Sequence, residues 1–197
     1  MIRHAVLPGL AAAILLTLSA SAMAQHASPS PYAGAERRAI KSLSQEDLDE
    51  LRRGGGWGLA LAAELNGVPG PAHLLELKDA IGLTAEQVAA IEAIHAQMRS
   101  EARAAGERLI AAEAAIEAAF RAGGLDVGTL RGLVADAEAA RADLRFVHLS
   151  RHLSTPPLLT ADQIAAYAAA RGYGSDPCAA VPEGHDAAMW RRHNGCD

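Results

Sequence analysis

From Thr84 to Arg121 the chain runs without a proline, and Val88, Ile91, His95, Met98, Ala102, Ala105, Leu109, Ala112, Ile116 and Ala119 recur at alternating spacings of three and four. That period draws one apolar stripe along a single long helix, ended by Gly123 and Gly124. A second stripe, Leu130, Val134, Ala137, Leu144 and His148, predicts a helix from Val127 to about His152, stopped by Pro156 and Pro157. So short a connection between two long helices demands an antiparallel hairpin.

The pentapeptide LTAEQ at 83–87 returns as LTADQ at 159–163. A helix leaves its first N–H groups without partners, and a Thr three residues before a Gln satisfies two of them reciprocally. Thr84 with Gln87, and Thr160 with Gln163, have this spacing. Leu83 with Val88, and Leu159 with Ile164, supply the apolar staple across each cap. Ser44 with Asp47, stapled by Leu43 and Leu48, and Asp126 with Thr129, stapled by Leu125 and Leu130, are looser versions. These starts predict shorter helices over 44–53, 71–81 and 160–170. Half of the residues are hydrophobic, yet only two Trp, three Tyr and two Phe occur, and Ala is plentiful. Such a composition favours closely packed helices over a sheet. The expected fold is all-α: a small four-helix arrangement with one long antiparallel hairpin, plus a peripheral N-terminal helix.

Residues 1–24 read as a secretory signal peptide: a basic Arg3 and His4, the apolar run AAAILLTL, and Ala22-Met23-Ala24 before Gln25. An uncleaved anchor is the alternative, disfavoured because Pro8 and Gly9 interrupt a short apolar run. The remaining divisions are a helix and Gly-rich segment over 25–70, a helical domain over 71–171, and a tail over 172–197. With 18 basic and 23 acidic residues the chain is acidic, and losing Arg3 makes it more so. Nucleic acid is therefore an unfavourable partner, and no membrane insertion is expected after cleavage of the leader.

The only cysteines, Cys178 and Cys196, lie in the tail. An oxidising compartment favours a disulfide between them. The rival is a zinc site that adds His185 and His193, although the spacing C-x6-H-x7-H-x2-C matches no common zinc module.

GGGWG at 54–58 lacks the Lys and Ser/Thr of a phosphate loop and the spacing of a dinucleotide fingerprint, and is expected to be a turn that packs Trp57. There is no GxSxG elbow and no HExxH, so the expectation is a protein that is not an enzyme.

Two LTxxQ stretches, the first opening a long helix and the second following its return partner behind a signal peptide, resemble the Spy/CpxP family of LTxxQ-motif proteins. The resemblance covers His73 to Tyr173. It implies a periplasmic protein, either an ATP-independent chaperone that binds unfolded clients on a helical dimer or a stress adaptor that engages a sensor kinase's periplasmic domain. The family also includes heavy-metal sensors and resistance proteins. A homodimer is expected under each of these readings.

The residues supply their own argument for metal. His95 and Met98 share the stripe of the first long helix, and His148 and His152, four apart, share a face of the second. Facing positions in an antiparallel hairpin keep a constant index sum, and the pairs His95–His152 and Met98–His148 nearly share one. The four side chains are thus expected at one level, with His73 and Glu76 as further donors. Imidazoles with a thioether suit copper, nickel, cobalt or zinc rather than calcium or magnesium. Against this, half-buried histidines often serve only as hydrogen-bonding core residues, and methionine is an ordinary filler.

Overall fold

The computed structural model describes residues 30–173, 178–179 and 181–196, so the expected leader lies outside the described residues. Gly34 onward forms one compact unit. Among the described residues the regular structure is entirely helical: α1 (Gln45–Arg53), α2 (Leu61–Glu64), α3 (Pro71–Glu76), α4 (Ala85–Ala122), α5 (Val127–Ser154), α6 (Ala161–Ala170) and α7 (Ala187–Asn194). Short 3₁₀ turns precede α1 at Ala35–Arg37 and α6 at Pro156–Leu158. Among the described residues no helix is long and apolar enough to cross a membrane.

The hairpin of α4 and α5 dominates. At 1.5 Å per residue α4 is about 57 Å long and α5 about 42 Å. Gly123 and Gly124 both take positive φ, 74° and 70°, where a side chain would be strained. Asp126 then restarts the chain as a helix by accepting from the N–H groups of Gly128 and Thr129 at 2.8 and 3.0 Å. The expected stripe is buried at Ile91, Met98, Ala102, Ala105 and Leu109, but only half-buried at Ala112, Ile116 and Ala119 near the tip. On α5, Val134 faces solvent and Leu133 is half-buried in its place.

Two apolar clusters hold the body together. The first joins Ile40, Leu43, Leu48, Leu51 and Leu59 to Leu109 and Leu144 of the hairpin. Burial of a leucine such as Leu51 or Leu109, each 1% exposed, contributes about 1.5–3 kcal/mol. The N-terminal helix α1 is therefore a working part of the hairpin's core, and the Gly-rich stretch after it belongs to the same unit as 71–171. Gly106 permits the approach: a Cβ there would lie 2.7 Å from the Leu51 carbonyl oxygen. Trp57 packs against this cluster as expected, donates its indole N–H to Asp47 at 2.8 Å, and lies under the Arg141 guanidinium.

The second cluster gathers Leu74 of α3, Ile81, Ile91 of α4 and Tyr167 of α6. The helix expected over 71–81 ends at Glu76. Leu77, at φ −102° and ψ 9°, leaves helical geometry, and a further turn runs to Gly82. The bend lets the side chains on both sides of it, Leu74 and Ile81, enter the same cluster.

The capping boxes form at Ser44, Thr84 and Thr160, each with its partner three residues on. The two LTxxQ caps are also bound to each other. Each side-chain amide of Gln87 and Gln163 donates to the other's oxygen at 2.9 Å. Gln87 further donates to the Leu158 carbonyl at 2.7 Å, and Gln163 to the Gly82 carbonyl at 3.0 Å. These acceptors occupy equivalent places, one residue before each LTxxQ, so the contact has a local two-fold character.

In the tail Cys178 and Cys196 form the disulfide, with Cα atoms 5.4 Å apart. Their sulfurs are not zinc ligands, and His185 stacks edge-on against Trp190 instead.

Candidate functional site: a histidine-lined cavity

The Gly-rich segment, α2, α3 and the hairpin line a half-open cavity of about 360 Å³. Four histidines, His73, His95, His148 and His152, line it together with Met98 and Glu64. The index-sum argument thus brings its four residues to one space, and His73 joins them. Glu76 does not line the cavity; it is exposed, and acts on His95 only through its charge. The carboxylate at the site is Glu64, from α2, which the sequence reading passed over. Its one signal was a lone acidic residue within the apolar run LALAAEL.

Three of the imidazoles are held alike. His73 Nδ1 is 2.9 Å from Glu64 Oε1, and His152 Nδ1 is 2.7 Å from the Val68 carbonyl oxygen. His148 is hydrogen-bonded to the Gly55 backbone. Gly55's N–H is already given to the Glu50 carbonyl, so its carbonyl is the acceptor. A carbonyl or carboxylate only accepts, which places the proton on Nδ1 of each ring. His148 is 3% exposed, and its Nε2 is buried without a hydrogen-bond partner. Leaving such an atom unmatched costs about 1–3 kcal/mol.

Burial disfavours the charged form of two of the rings, His148 and His95. Burial pushes the His148 imidazolium to a lower pKa than an exposed histidine, the Gly55 bond opposes this, and His152 adds repulsion. His95 is lowered first by burial and then by Arg99. Glu64 is different: burial raises its pKa, but hydrogen bonds from Tyr167, His73 and Tyr173 outweigh that and keep it ionised. Tyr167 OH donates at 2.6 Å and Tyr173 OH at 3.0 Å, both to Oε2. The Tyr167 hydroxyl is held protonated by burial and by this bond.

Gly70 shapes the wall. A Cβ at this position would stand 2.5 Å from Cε1 and Nε2 of His152, so only glycine leaves room for the ring. Among the described residues no three His, Cys, Asp or Glu side chains are gathered as a bound metal would require. The rings line a common space without converging on a point.

No protein-family model matches the chain, and no curated protein or solved structure does so either. The class is therefore defined by the fold and the site alone: an all-α hairpin protein with a histidine-lined cavity and a disulfide-closed tail.

Proposed function

We propose that this protein is an envelope binding protein, not an enzyme, that senses or sequesters a transition metal ion in the histidine cavity. The observation that carries the reading is the common orientation of His73, His148 and His152, each turned to an oxygen of the fold, with the Nε2 of His148 buried without a partner. Metal-binding histidines characteristically donate their other N–H to a carbonyl or carboxylate, which fixes the tautomer and raises ligand basicity. The buried, unpartnered Nε2 of His148 and the nearby Met98 thioether fit a copper, nickel, cobalt or zinc ion. The rings of His73, His148 and His152 would have to move inward from their present positions to hold such an ion. The LTxxQ resemblance, with its metal-sensing members, and the periplasmic address implied by residues 1–24 agree with this reading.

Titration calorimetry of the leader-free protein with the four metals tests it. One tight site is expected, weakened at least about tenfold by His148→Ala. No binding of any of the four ions by the wild type overturns the reading.

A second reading, chaperone or stress adaptor of the Spy/CpxP type, is favoured by a different observation. Phe120, Val127, Phe146 and Leu153 on the two long helices are 62–76% exposed. Large apolar side chains in solvent are what a client, a sensor domain or a second copy would cover. Protection of a denatured client from aggregation, lost on Phe146→Ser with the fold intact, would support it; an inert wild type would dispose of it.

A further inference from the structure

We propose that the mouth of the histidine cavity is a binding site for a small organic acid, a monocarboxylate with a short aliphatic body, whose carboxylate is received by Arg99. The proposal stands apart from the metal reading. It uses Arg99 and His95, not the rings of His73, His148 and His152 that carry that reading.

Two arginines line the cavity, and one of them is already committed. Arg53 pairs with Glu50, whereas Arg99 forms no ion pair among the described residues. Arg99 is exposed while His148 and His152 are buried, which puts its charge at the open side of the cavity. That charge reaches His95, one turn earlier on α4 and half-buried, and works against a proton on its ring. The His95 side chain makes no hydrogen bond among the described residues. The rim thus offers a planar cation, whose fork matches a carboxylate, beside an imidazole that still needs a partner.

The walls decide what the rest of the ligand is. Ala60, Leu61, Pro71, Ala72 and Met98 supply an apolar lining, and no Phe, Tyr or Trp is among the described residues of the wall, so the body is aliphatic rather than stacked. About 360 Å³ is the size of a small-molecule site. Gly54 closes the glycine segment onto α4: a Cβ there would lie 2.7 Å from the Arg99 carbonyl oxygen, so segment and helix share one rim. Charge limits the ligand to a single negative group. Glu64 is ionised, and its two oxygens already accept from His73, Tyr167 and Tyr173. Once Arg99 is neutralised, a second negative charge on the ligand would meet only that repulsion.

The test is titration calorimetry of the leader-free protein with sodium octanoate below its micelle concentration, with EDTA present so that no metal takes part. One saturable site per chain is expected. Octan-1-ol, which keeps the chain and lacks the charge, should bind at least about tenfold more weakly, and acetate, which lacks the chain, should give no measurable heat. Arg99→Met, at an exposed position, keeps much of the apolar stem and should weaken octanoate about tenfold or more with the melting temperature unchanged. On saturation the ring resonances of His95 should move, and those of His185 in the disulfide loop should stay. Absence of saturable octanoate binding by the wild type overturns the proposal. So does an affinity that survives Arg99→Met or is matched by octan-1-ol, or a shift at His185 in place of His95. All of these outcomes are read without metal, so the metal reading stands or falls by its own titration.

Discussion

The side-chain amides of Gln87 and Gln163 are each other's donor and acceptor, both at 2.9 Å, while each oxygen also accepts the backbone N–H of its own cap, Thr84 or Thr160. One side chain thus closes a helix end and joins it to the other helix end. Removing it costs both functions.

Gln87→Ala and Gln163→Ala should each destabilise the fold by about 1–3 kcal/mol, the cost of a lost cap plus a cross-helix hydrogen bond. The double variant should lose less than the sum, with a coupling of about 0.5–3 kcal/mol between contacting partners. Urea unfolding of the four proteins measures this, and strict additivity would mean the two amides do not cooperate.

Asp47 should make stability pH-dependent in acid. Its carboxylate accepts from the Ser44 side chain, the Trp57 indole and the Ser44 backbone, which hold its pKa below the ordinary 3.8. A group depressed in the folded state stabilises at pH values above its unfolded pKa, and that contribution is lost as pH falls through the folded one. Asp47→Asn should therefore cost about 1–2 kcal/mol at pH 7. The gap from wild type should close in strong acid, as read by melting at several pH values.

Gly70→Ala should damage the cavity more than its size implies. The added methyl meets the His152 ring, so either the ring or the loop shifts, at a cost of about 1–3 kcal/mol. The same shift should break the His152–Val68 bond. The expected outcome is a lower melting temperature together with weaker metal binding, whereas Gly67→Ala, with nothing within 4 Å of its built Cβ, should pay only for its left-handed backbone.

Reduction of Cys178–Cys196 should act locally. No residue of α7 is buried, and the Cys178–Cys196 loop closes around it. Hydrogen exchange of the reduced protein should show lost protection in 187–194 and unchanged protection in the hairpin.

Features written in short-range chemistry were legible in the sequence. Caps, staples and the long stripe need only neighbours three or four residues away, and Ser44, Thr84 and Thr160 form the expected boxes. The constant index sum of a hairpin also brought His95, Met98, His148 and His152 to one level. What escaped was set by long-range partners. Glu64 looks like a surface acid until Tyr167 and Tyr173, 103 and 109 residues away, are folded over it. Glu76 lies outside the cavity because the azimuth of a six-residue helix is decided by packing, here by Leu74 turning inward. The partnership of the two LTxxQ stretches was likewise hidden, since a capping box is complete without it.

The paired amides also bear on how the chain reaches its native state. Gln87 and Gln163 stand 76 residues apart, and closing so long a loop at random is entropically costly and kinetically slow. The hairpin removes most of that distance in advance. With α4 and α5 paired across the glycine turn, both glutamines lie at the same end of the molecule. The repeated phrase then works as a clasp that only a finished hairpin can fasten, a built-in check that the two arms have paired in the correct register.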